Sequence, residues 1–309
     1  MRIVFFGTPD LAVPSLRETA AHHDVTAVVC QPDRPKGRSR KPVPPPVKEW
    51  AVAHDIPVHQ PAKLNDGAFE AWLTSHHPDA CALAAYGRIL KQPILDVPKL
   101  GFLNMHPSLL PKYRGPSPIQ SALLQGETET GITIIRLSMD MDAGDIVSQS
   151  REPISNDDNG ITLSERLANR GATMLAEALD NLASGKATFR SQDHSAATYC
   201  SILTKEDGRI DWTCTAIDIH NQVRGSQPWP GAYTTLDGET IRVFKTARSE
   251  SPANGEPGRV LGTENREILV ATGEGCIAIT NLQAPGKKAM DADAFLRGRP
   301  LPPTTQFGT

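Results

Sequence analysis

The sequence predicts an α/β protein in which a doubly wound, mostly parallel sheet is followed by a smaller C-terminal β-domain. Up to about residue 185, apolar runs alternate with amphipathic stretches, which is typical of βαβ units. Beyond it, short β-like segments are separated by turn residues. A length of 309 residues is enough for two domains. We therefore expect a Rossmann-like first domain and a small barrel, OB-like in type, as the second.

The elements of the first domain follow one another regularly. The predicted strands are 2–7, 25–31, 80–86, 101–105, 131–139 and 145–151, and the predicted helices between them are 11–21, 47–54, 66–76 and 118–125. The strands are apolar nearly throughout, so helices should cover both faces of the sheet. A last helix, 163–183, carries one apolar stripe and ends just before Gly185.

We place the domain boundaries where the alternation of apolar and amphipathic stretches ends. Residues 1–185 form the first predicted domain, residues 186–205 a linker rich in small polar residues, and residues 206–309 the second domain. The second domain should contain strands at 232–236, 240–247, 259–262, 267–272 and 276–282 and one helix at 216–224, with an Asp-Gly hairpin turn at 237–238. Strands this short could also close into a sandwich. The Pro-rich tail, 299–309, is expected to fray.

Composition excludes several classes of protein. The longest apolar runs, such as 79–86, are less than half of the roughly 18 residues that a membrane-spanning helix needs. The apolar run near the N-terminus is too short for the core of a signal peptide. The five cysteines are scattered singly, which suggests neither a disulfide framework nor a zinc site. We therefore expect a cytoplasmic monomer without a membrane partner.

Nucleotide and metal motifs are also missing from the sequence. The turn after the first strand, Gly-Thr-Pro-Asp at 7–10, lacks the glycine spacing of dinucleotide and P-loop cradles, so we expect no nicotinamide nucleotide. The histidine pairs at 22–23 and 76–77 have no third ligand at a useful spacing, and no metal is expected.

Three polar residues form a candidate catalytic set. Asn104 and His106 are two apart on a predicted strand, so their side chains project from the same side. If the acidic turn 142–145 folds back beside His106, the Asp142 carboxylate can orient the imidazole and stabilise its protonated form. Asn104 can then donate to an oxyanion. Singly, each residue is more often a cap or a turn residue; together, with no nearby Ser or Cys nucleophile, they predict proton handling with a nucleophile supplied by the substrate.

The run NMHPSLLPKYRG at 104–115, with DAGD at 142–145, closely resembles the signature of the folate-dependent formyltransferases. Gly-Thr-Pro at 7–9, QPDRP at 31–35 and GKKAM at 286–290 are similar to those members that act on methionyl-tRNA. The resemblance covers essentially the whole chain. It implies that residues 1–185 transfer the formyl group of 10-formyltetrahydrofolate to the α-amino group of methionyl initiator tRNA, for translation initiation, and release tetrahydrofolate.

The same resemblance implies roles for particular residues. It makes Asn104, His106 and Asp142 catalytic. The folate-contacting SLLP segment corresponds to Ser108, Leu109, Leu110 and Pro111. A further wall of the pteridine site corresponds to Tyr86, Gly87, Arg88, Ile89 and Leu90, for which an ordinary strand-to-helix turn is the alternative interpretation.

Positive charge is concentrated in residues 32–46 although the formal net charge is −3. This loop is too long and too rich in proline for an ordinary βα connection. Composition alone favours a solvated surface loop. The resemblance instead implies a basic loop against the acceptor stem of the tRNA, with contacts from Arg34, Lys36, Arg38, Arg40 and Lys41. It also implies that the second domain contacts tRNA.

Other functions stay open on this reasoning. The acceptor could be a small amine, such as a glycinamide ribonucleotide or an amino sugar nucleotide, although the basic loop and the added domain argue against the first. A non-catalytic RNA-binding protein would be expected to lose one of the three polar residues, and all are present. A hydrolase that releases formate could share them, because only a dry acceptor pocket favours transfer over hydrolysis.

Overall fold

The computed structural model describes residues 1–35, 41–249, 255–264 and 266–308. The chain divides into two compact units. The first comprises Met1–Pro118, Glu129–Pro153 and Ser164–Cys200, and the second comprises Ile119–Thr128, Ile154–Leu163 and Ser201–Thr309. None of the helices in the described ranges is long and apolar enough to cross a membrane.

The first unit is built on a seven-stranded sheet. The strands of this half of the chain are β1 (Arg2–Gly7), β2 (Asp24–Val29), β3 (Arg34–Pro35), β4 (Pro42–Val43), β5 (Val58–His59), β6 (Ala80–Ala84), β7 (Phe102–His106), β8 (Glu129–Arg136) and β9 (Ile146–Pro153). The sheet order is β5-β2-β1-β6-β7-β8-β9, and β3 pairs separately with β4. In this order the first five strands, β5, β2, β1, β6 and β7, run parallel to one another. Strand β8 is antiparallel to β7, and β9 is antiparallel to β8. The expected mostly parallel, Rossmann-like sheet is thereby confirmed.

The core of this unit explains why the apolar runs become strands. β6 and β7 are buried at every position, as expected for strands covered on both faces. The ring of Phe6 on β1 contacts Phe69, Tyr86 and Phe102 edge to face, with centroid distances of 6.1, 5.4 and 5.3 Å. Such contacts fix neighbouring strands and helices in one arrangement.

The helices of this half of the chain are α1 (Val13–His22), α2 (Pro46–Ala53), α3 (Ala68–Ser75), α4 (Gln92–Leu95), α5 (Pro118–Leu124) and α6 (Gly160–Ala183). The stripe predicted for α6 is buried at Leu167, Leu175 and Leu179, and Gly185 follows the helix with a φ of 68°. At Gly171 a Cβ would lie 2.7 Å from Cγ of Met105, so a glycine lets α6 approach β7 closely. The short α4 was not predicted, because four residues carry too little periodicity.

The second unit contains a separate antiparallel sheet. Its elements are α7 (Ala216–Gly225), β10 (Ala232–Leu236), β11 (Glu239–Ser249), β12 (Val260–Glu264), β13 (Glu267–Ala271), β14 (Cys276–Gln283), β15 (Met290–Asp291) and α8 (Ala292–Gly298). The sheet order is β10-β11-β14-β13-β12, with β15 on β14. Asp237 and Gly238 have φ values of 52° and 76°. Positive φ at both central positions is the hairpin geometry that an Asp-Gly pair favours.

The prediction that the C-terminal tail frays is wrong. Phe307 is buried and stacks on Trp212 with a centroid distance of 5.7 Å. The Thr305 carbonyl accepts from the Val260 amide at 2.9 Å, and the Gly308 amide donates to the Thr235 carbonyl at 2.8 Å. The tail therefore bonds to β12 on one side and to β10 on the other. Its apolar side chains anchor the tail in the core of the second unit. The sequence prediction followed the high proline content and gave too little weight to these apolar residues.

Residues 190–200, called the strap below, bond to the first unit at several points. The Arg190 amide and carbonyl both pair with Ile146, at 2.9 and 2.8 Å. The Arg114 amide donates to the Thr198 carbonyl at 2.8 Å, and the Cys200 amide donates to the Arg114 carbonyl at 2.8 Å. The strap thus holds the chain that follows β7, although it lies within the stretch expected to act as a linker.

Candidate active site

Strand β7 positions two of the three predicted catalytic side chains. Asn104 and His106 are 6% and 5% exposed, and they lie on the same side of the strand. Asn104 pairs in register with Leu83 on β6 and with Ile135 on β8. Because β7 is hydrogen-bonded on both edges, the backbone of both residues is fixed.

The ring of His106 lies between two oxygen atoms. Its Nε2 is 2.9 Å from the carbonyl oxygen of Tyr113. A carbonyl oxygen can only accept, so Nε2 donates in this geometry. Its Nδ1 lies 3.7 Å from Oδ2 of Asp142. The structure therefore brings His106 and Asp142 together, as the folded-back acidic turn requires.

Backbone groups fix the Asp142 carboxylate. The Gly115 amide donates to Oδ2 at 2.8 Å. Asp142 itself has a φ of 50°, a left-handed conformation that Asp tolerates better than most residues. Two residues later, a Cβ on Gly144 would lie 1.7 Å from the Arg136 carbonyl oxygen. Only glycine fits there, which explains the Asp-Ala-Gly-Asp pattern of the turn.

The Asn104 side chain ends in an amide group on the same strand as His106, and it is 6% exposed. Its NH2 group can donate to the oxygen of a bound substrate.

The SLLP segment is held by side chains that the sequence did not single out. The Thr133 hydroxyl donates to the Ser108 carbonyl at 2.6 Å and accepts from the Leu110 amide at 3.1 Å. The Gln149 amide donates to the Leu110 carbonyl at 2.9 Å. Ser108 and Leu110 are buried, whereas Leu109 is half-buried. Thr133 could have been found from the register, since it pairs with His106 across β7 and β8.

The segment 86–90 gathers the carboxyl ends of β1, β2 and β6. The Tyr86 carbonyl accepts from the Thr8 hydroxyl at 3.1 Å and from the Gln31 amide at 3.0 Å. The Tyr86 ring is in the core, and burial raises the pKa of its hydroxyl. Arg88 donates to the backbone carbonyls of residues 61 and 62, and Leu90 is buried. Ile89 is 72% exposed, so this side chain is available to a ligand, whereas the Gly87 carbonyl accepts from the Gln31 amide at 3.3 Å.

The basic stretch begins in the ribbon formed by β3 and β4, in which Arg34 pairs with Val43. Lys36, Arg38 and Arg40 lie outside the described residues. Arg34 and Lys41 are exposed.

A hydrogen-bonded pair neutralises the one acid of the stretch. Lys48 Nζ lies 2.8 and 2.9 Å from the two carboxylate oxygens of Asp33. These bonds, with a further one from Gln60, lower the pKa of the Asp33 carboxyl. Positive charge on the ribbon is therefore not offset by Asp33.

A cavity of about 400 Å³ opens beside the start of β7 and the end of β8. Its lining includes Phe102 and Leu137, together with the charged Asp96, Lys99 and Arg136. The predicted site residues do not line this cavity. Two of its lining residues, Phe102 and Met139, lie two and three positions before Asn104 and Asp142 in the sequence. In the described part of the chain, no group of three His, Cys, Asp or Glu residues could hold a metal.

Two family models match this chain. Residues 1–179 match the formyl transferase family, and residues 202–300 match the formyl transferase C-terminal domain. The chain belongs to the formyl transferase family. Methionyl-tRNA formyltransferases are among its relatives. That of Geobacter sulfurreducens is 45% identical over all of this chain and 97% of its own length, and that of Pelotomaculum thermopropionicum is 46% identical over 98% and 97%.

Solved structures share the fold of this chain at lower sequence identity. WlaRD, a sugar 3N-formyl transferase solved in the presence of dTDP and 5-N-formyl-THF, has a TM-score of 0.68 at 19% identity, over 93% of this chain and 99% of that one. HypX from Aquifex aeolicus in complex with tetrahydrofolic acid has a TM-score of 0.64 at 20% identity. The structural match covers 97% of the present chain and 48% of the HypX chain.

Proposed function

We propose that this protein transfers the formyl group of 10-formyltetrahydrofolate to the α-amino group of methionyl initiator tRNA. One observation carries the proposal. The buried His106 lies 3.7 Å from the half-buried Asp142 and shares β7 with the buried Asn104, in a chain 45% identical, over its whole length, to a methionyl-tRNA formyltransferase. Translation initiation takes place in the cytoplasm, where we therefore place the protein.

The chemistry follows from these groups. An aminoacyl α-amine has a pKa of about 8 or lower, so a sizeable neutral fraction is present to attack the formyl carbon. The new C–N bond leaves negative charge on the formyl oxygen, which the Asn104 amide and His106 stabilise. The C–N bond to the folate then breaks, and the proton lost by the amine is delivered to the folate nitrogen through an ordered water or through Nδ1 of His106, the ring nitrogen that does not bond to Tyr113. The Asp142 carboxylate stabilises positive charge on the ring while it holds that proton.

The donor would lie along the two segments that follow the carboxyl ends of the neighbouring parallel strands β6 and β7. We assign it to residues 108–111 and 86–90, with Leu109, Pro111 and Ile89 as contacting side chains. The buried Ser108, Leu110, Tyr86 and Leu90 shape the segments from within. The complexes of WlaRD with 5-N-formyl-THF and of HypX with tetrahydrofolic acid support a folate donor on this fold.

The acceptor would contact the basic ribbon and the second domain. Arg34 and Lys41 are exposed on the ribbon, and Lys36, Arg38 and Arg40 would add charge between them. We further propose that residues 206–309 form a small OB-like barrel that tracks the tRNA backbone. The tail bonds to both β10 and β12, which supports closure of its sheet.

The test is transfer of labelled formyl from 10-formyltetrahydrofolate to methionyl initiator tRNA, with the intact protein compared with His106→Ala and Arg38→Ala. We expect His106→Ala to reduce transfer about a hundredfold or more. Arg38→Ala should weaken the reaction and make it more sensitive to salt. Formyl consumption with a small amine or water, but none with tRNA, would retain the folate site and reject the tRNA assignment.

A further inference from the structure

The side chain of Gln192, in the strap, bonds to the turn that carries Asp142. Its Nε2 donates to the Asp142 carbonyl at 2.8 Å and to the Gly144 carbonyl at 2.7 Å. Gln192 is 5% exposed, so these bonds are shielded from water. One amide group therefore clamps both ends of a three-residue segment centred on the catalytic turn.

A buried cation fixes the orientation of that amide. The guanidinium of Arg114 donates to Oε1 of Gln192 at 2.8 and 3.2 Å, and it also lies 3.1 Å from Nδ1 of His194. Arg114 is 3% exposed. Since a guanidinium can only donate, Oε1 must face Arg114 and the NH2 group must face the two carbonyls. The amide cannot flip without breaking every one of these bonds.

The backbone around Arg114 also contacts both catalytic side chains. The Tyr113 carbonyl accepts from His106 Nε2, and the Gly115 amide donates to Asp142 Oδ2. The strap holds this segment through the Thr198 carbonyl and hydroxyl, each 2.8 Å from its donor. Segment 113–115 is therefore bonded to His106 and to Asp142 at the same time, and it helps to fix the distance between them.

We propose that Gln192 is a positioning residue for formyl transfer. By clamping the turn, it sets the distance of the Asp142 carboxylate from His106, and Arg114 keeps its amide in the required orientation. The inference rests on the proposed function, because it assigns Asp142 a role in that reaction. Gln192 bonds to the backbone of the turn and to Arg114, so we assign its effect on the reaction to the placement of Asp142.

Gln192→Glu separates positioning from structural support. The carboxylate still accepts from Arg114, so the buried cation keeps a partner. It cannot donate to the Asp142 and Gly144 carbonyls, so the clamp is lost. Asn169→Asp is the control, because the Asn169 amide also donates to a backbone carbonyl, that of Glu165, at 3.0 Å, and Asn169 lies on α6, outside the segments assigned to the substrates.

Both changes are measured as kcat for formyl transfer, alone and combined with Asp142→Asn. We expect Gln192→Glu to lower kcat about a hundredfold, as a misplaced catalytic group does, with little change in the KM values. In the Asp142→Asn background it should lower kcat only about twofold or less, because the two changes remove the same contribution. Asn169→Asp should leave kcat close to wild type.

The outcomes are distinguishable. An equal loss in both backgrounds would show that Gln192 only supports the fold, and unchanged kcat in Gln192→Glu would show that the clamp is not needed; either result overturns the inference. If Gln192→Glu does not fold, Gln192→Met removes the donor without adding charge and carries the same expectations. Absence of tRNA formylation by the wild-type protein would instead reject the proposed function.

Discussion

The Oδ2 atom of Asp142 lies 3.7 Å from Nδ1 of His106 and 2.8 Å from the amide nitrogen of Gly115. The carboxylate oxygen is thus bonded to the backbone rather than to the ring. It remains close enough to stabilise positive charge on a buried imidazole, where attraction is stronger than in water. Asp142 therefore places a negative charge at a fixed distance from the ring. A mutation that removes the charge but keeps the hydrogen bond to Gly115 tests the electrostatic contribution by itself.

Asp142→Asn should lower kcat for formyl transfer about a hundredfold or more, because the histidine loses electrostatic support during proton transfer. The amide keeps an oxygen for the Gly115 amide, so the turn should stay folded. The measurement is kcat with saturating substrates, beside a urea unfolding curve. Asp140→Asn, in the same turn but exposed, is the control. Equal kcat in the two variants would contradict the role of Asp142.

The stability of the protein should fall in mild acid partly because of His220. Burial lowers the pKa of His220, and the nearby Arg224 and Arg248 lower it further, against smaller opposite effects of a hydrogen bond with the Asn156 backbone and of Asp157. The unfolded chain takes up a proton near pH 6.5, its ordinary value, before the folded protein does. The free energy of unfolding therefore decreases as the pH falls through 6.5 and levels off below the folded pKa.

Urea unfolding at about pH 7.5 and about pH 5.5 checks this sign. His220→Gln should flatten the pH dependence, since it removes one group whose pKa differs between the two states. A change at the exposed His54, His54→Gln, serves as the comparison. A slope as steep in His220→Gln as in the wild type would show that His220 is not a source of the pH dependence.

Phe307→Ala should destabilise the protein by about 3 kcal/mol or more, the usual cost of removing a buried phenylalanine ring. Phe307 is buried against Trp212, and without it the tail loses its anchor on β10 and β12. Thr304→Ala, at an exposed position of the same tail, should change stability little. The free energy of unfolding from urea titrations distinguishes the two, and a small loss for Phe307→Ala would mean that the tail frays after all.

Gly144→Ala should cost about 2 kcal/mol or more and abolish most activity, because the added methyl group collides with a backbone carbonyl. The control is Gly298→Ala on α8, where a Cβ would meet nothing within 4 Å. Stability and formyl transfer are measured for both. Wild-type behaviour of Gly144→Ala would show that the acidic turn can move aside, contrary to its fixed geometry.

Sequence reasoning located the strands of the first unit well because burial on both faces leaves a plain signal. Strand β6 reads ACALA and β7 reads FLNMH, and each is buried throughout. It missed α4 and α8, which are too short to show a period, and it misjudged a tail whose anchor is a single aromatic residue. Residue type, spacing and resemblance predict Asn104, His106 and Asp142 as site residues. They do not point to Thr133, Gln149 or Gln192, since the partners of these side chains lie 16 to 50 residues away.

The sequence by itself determined which chemical groups this protein can use: an amide, an imidazole and a carboxylate, on a strand and in a turn that glycine permits. Tertiary structure decided the distances between them. Asp142 reaches His106 only because the strap, Arg114 and Gly115 hold the turn in place. Pairing between distant segments depends on the closure of the whole sheet around them, and no local pattern of residues records it.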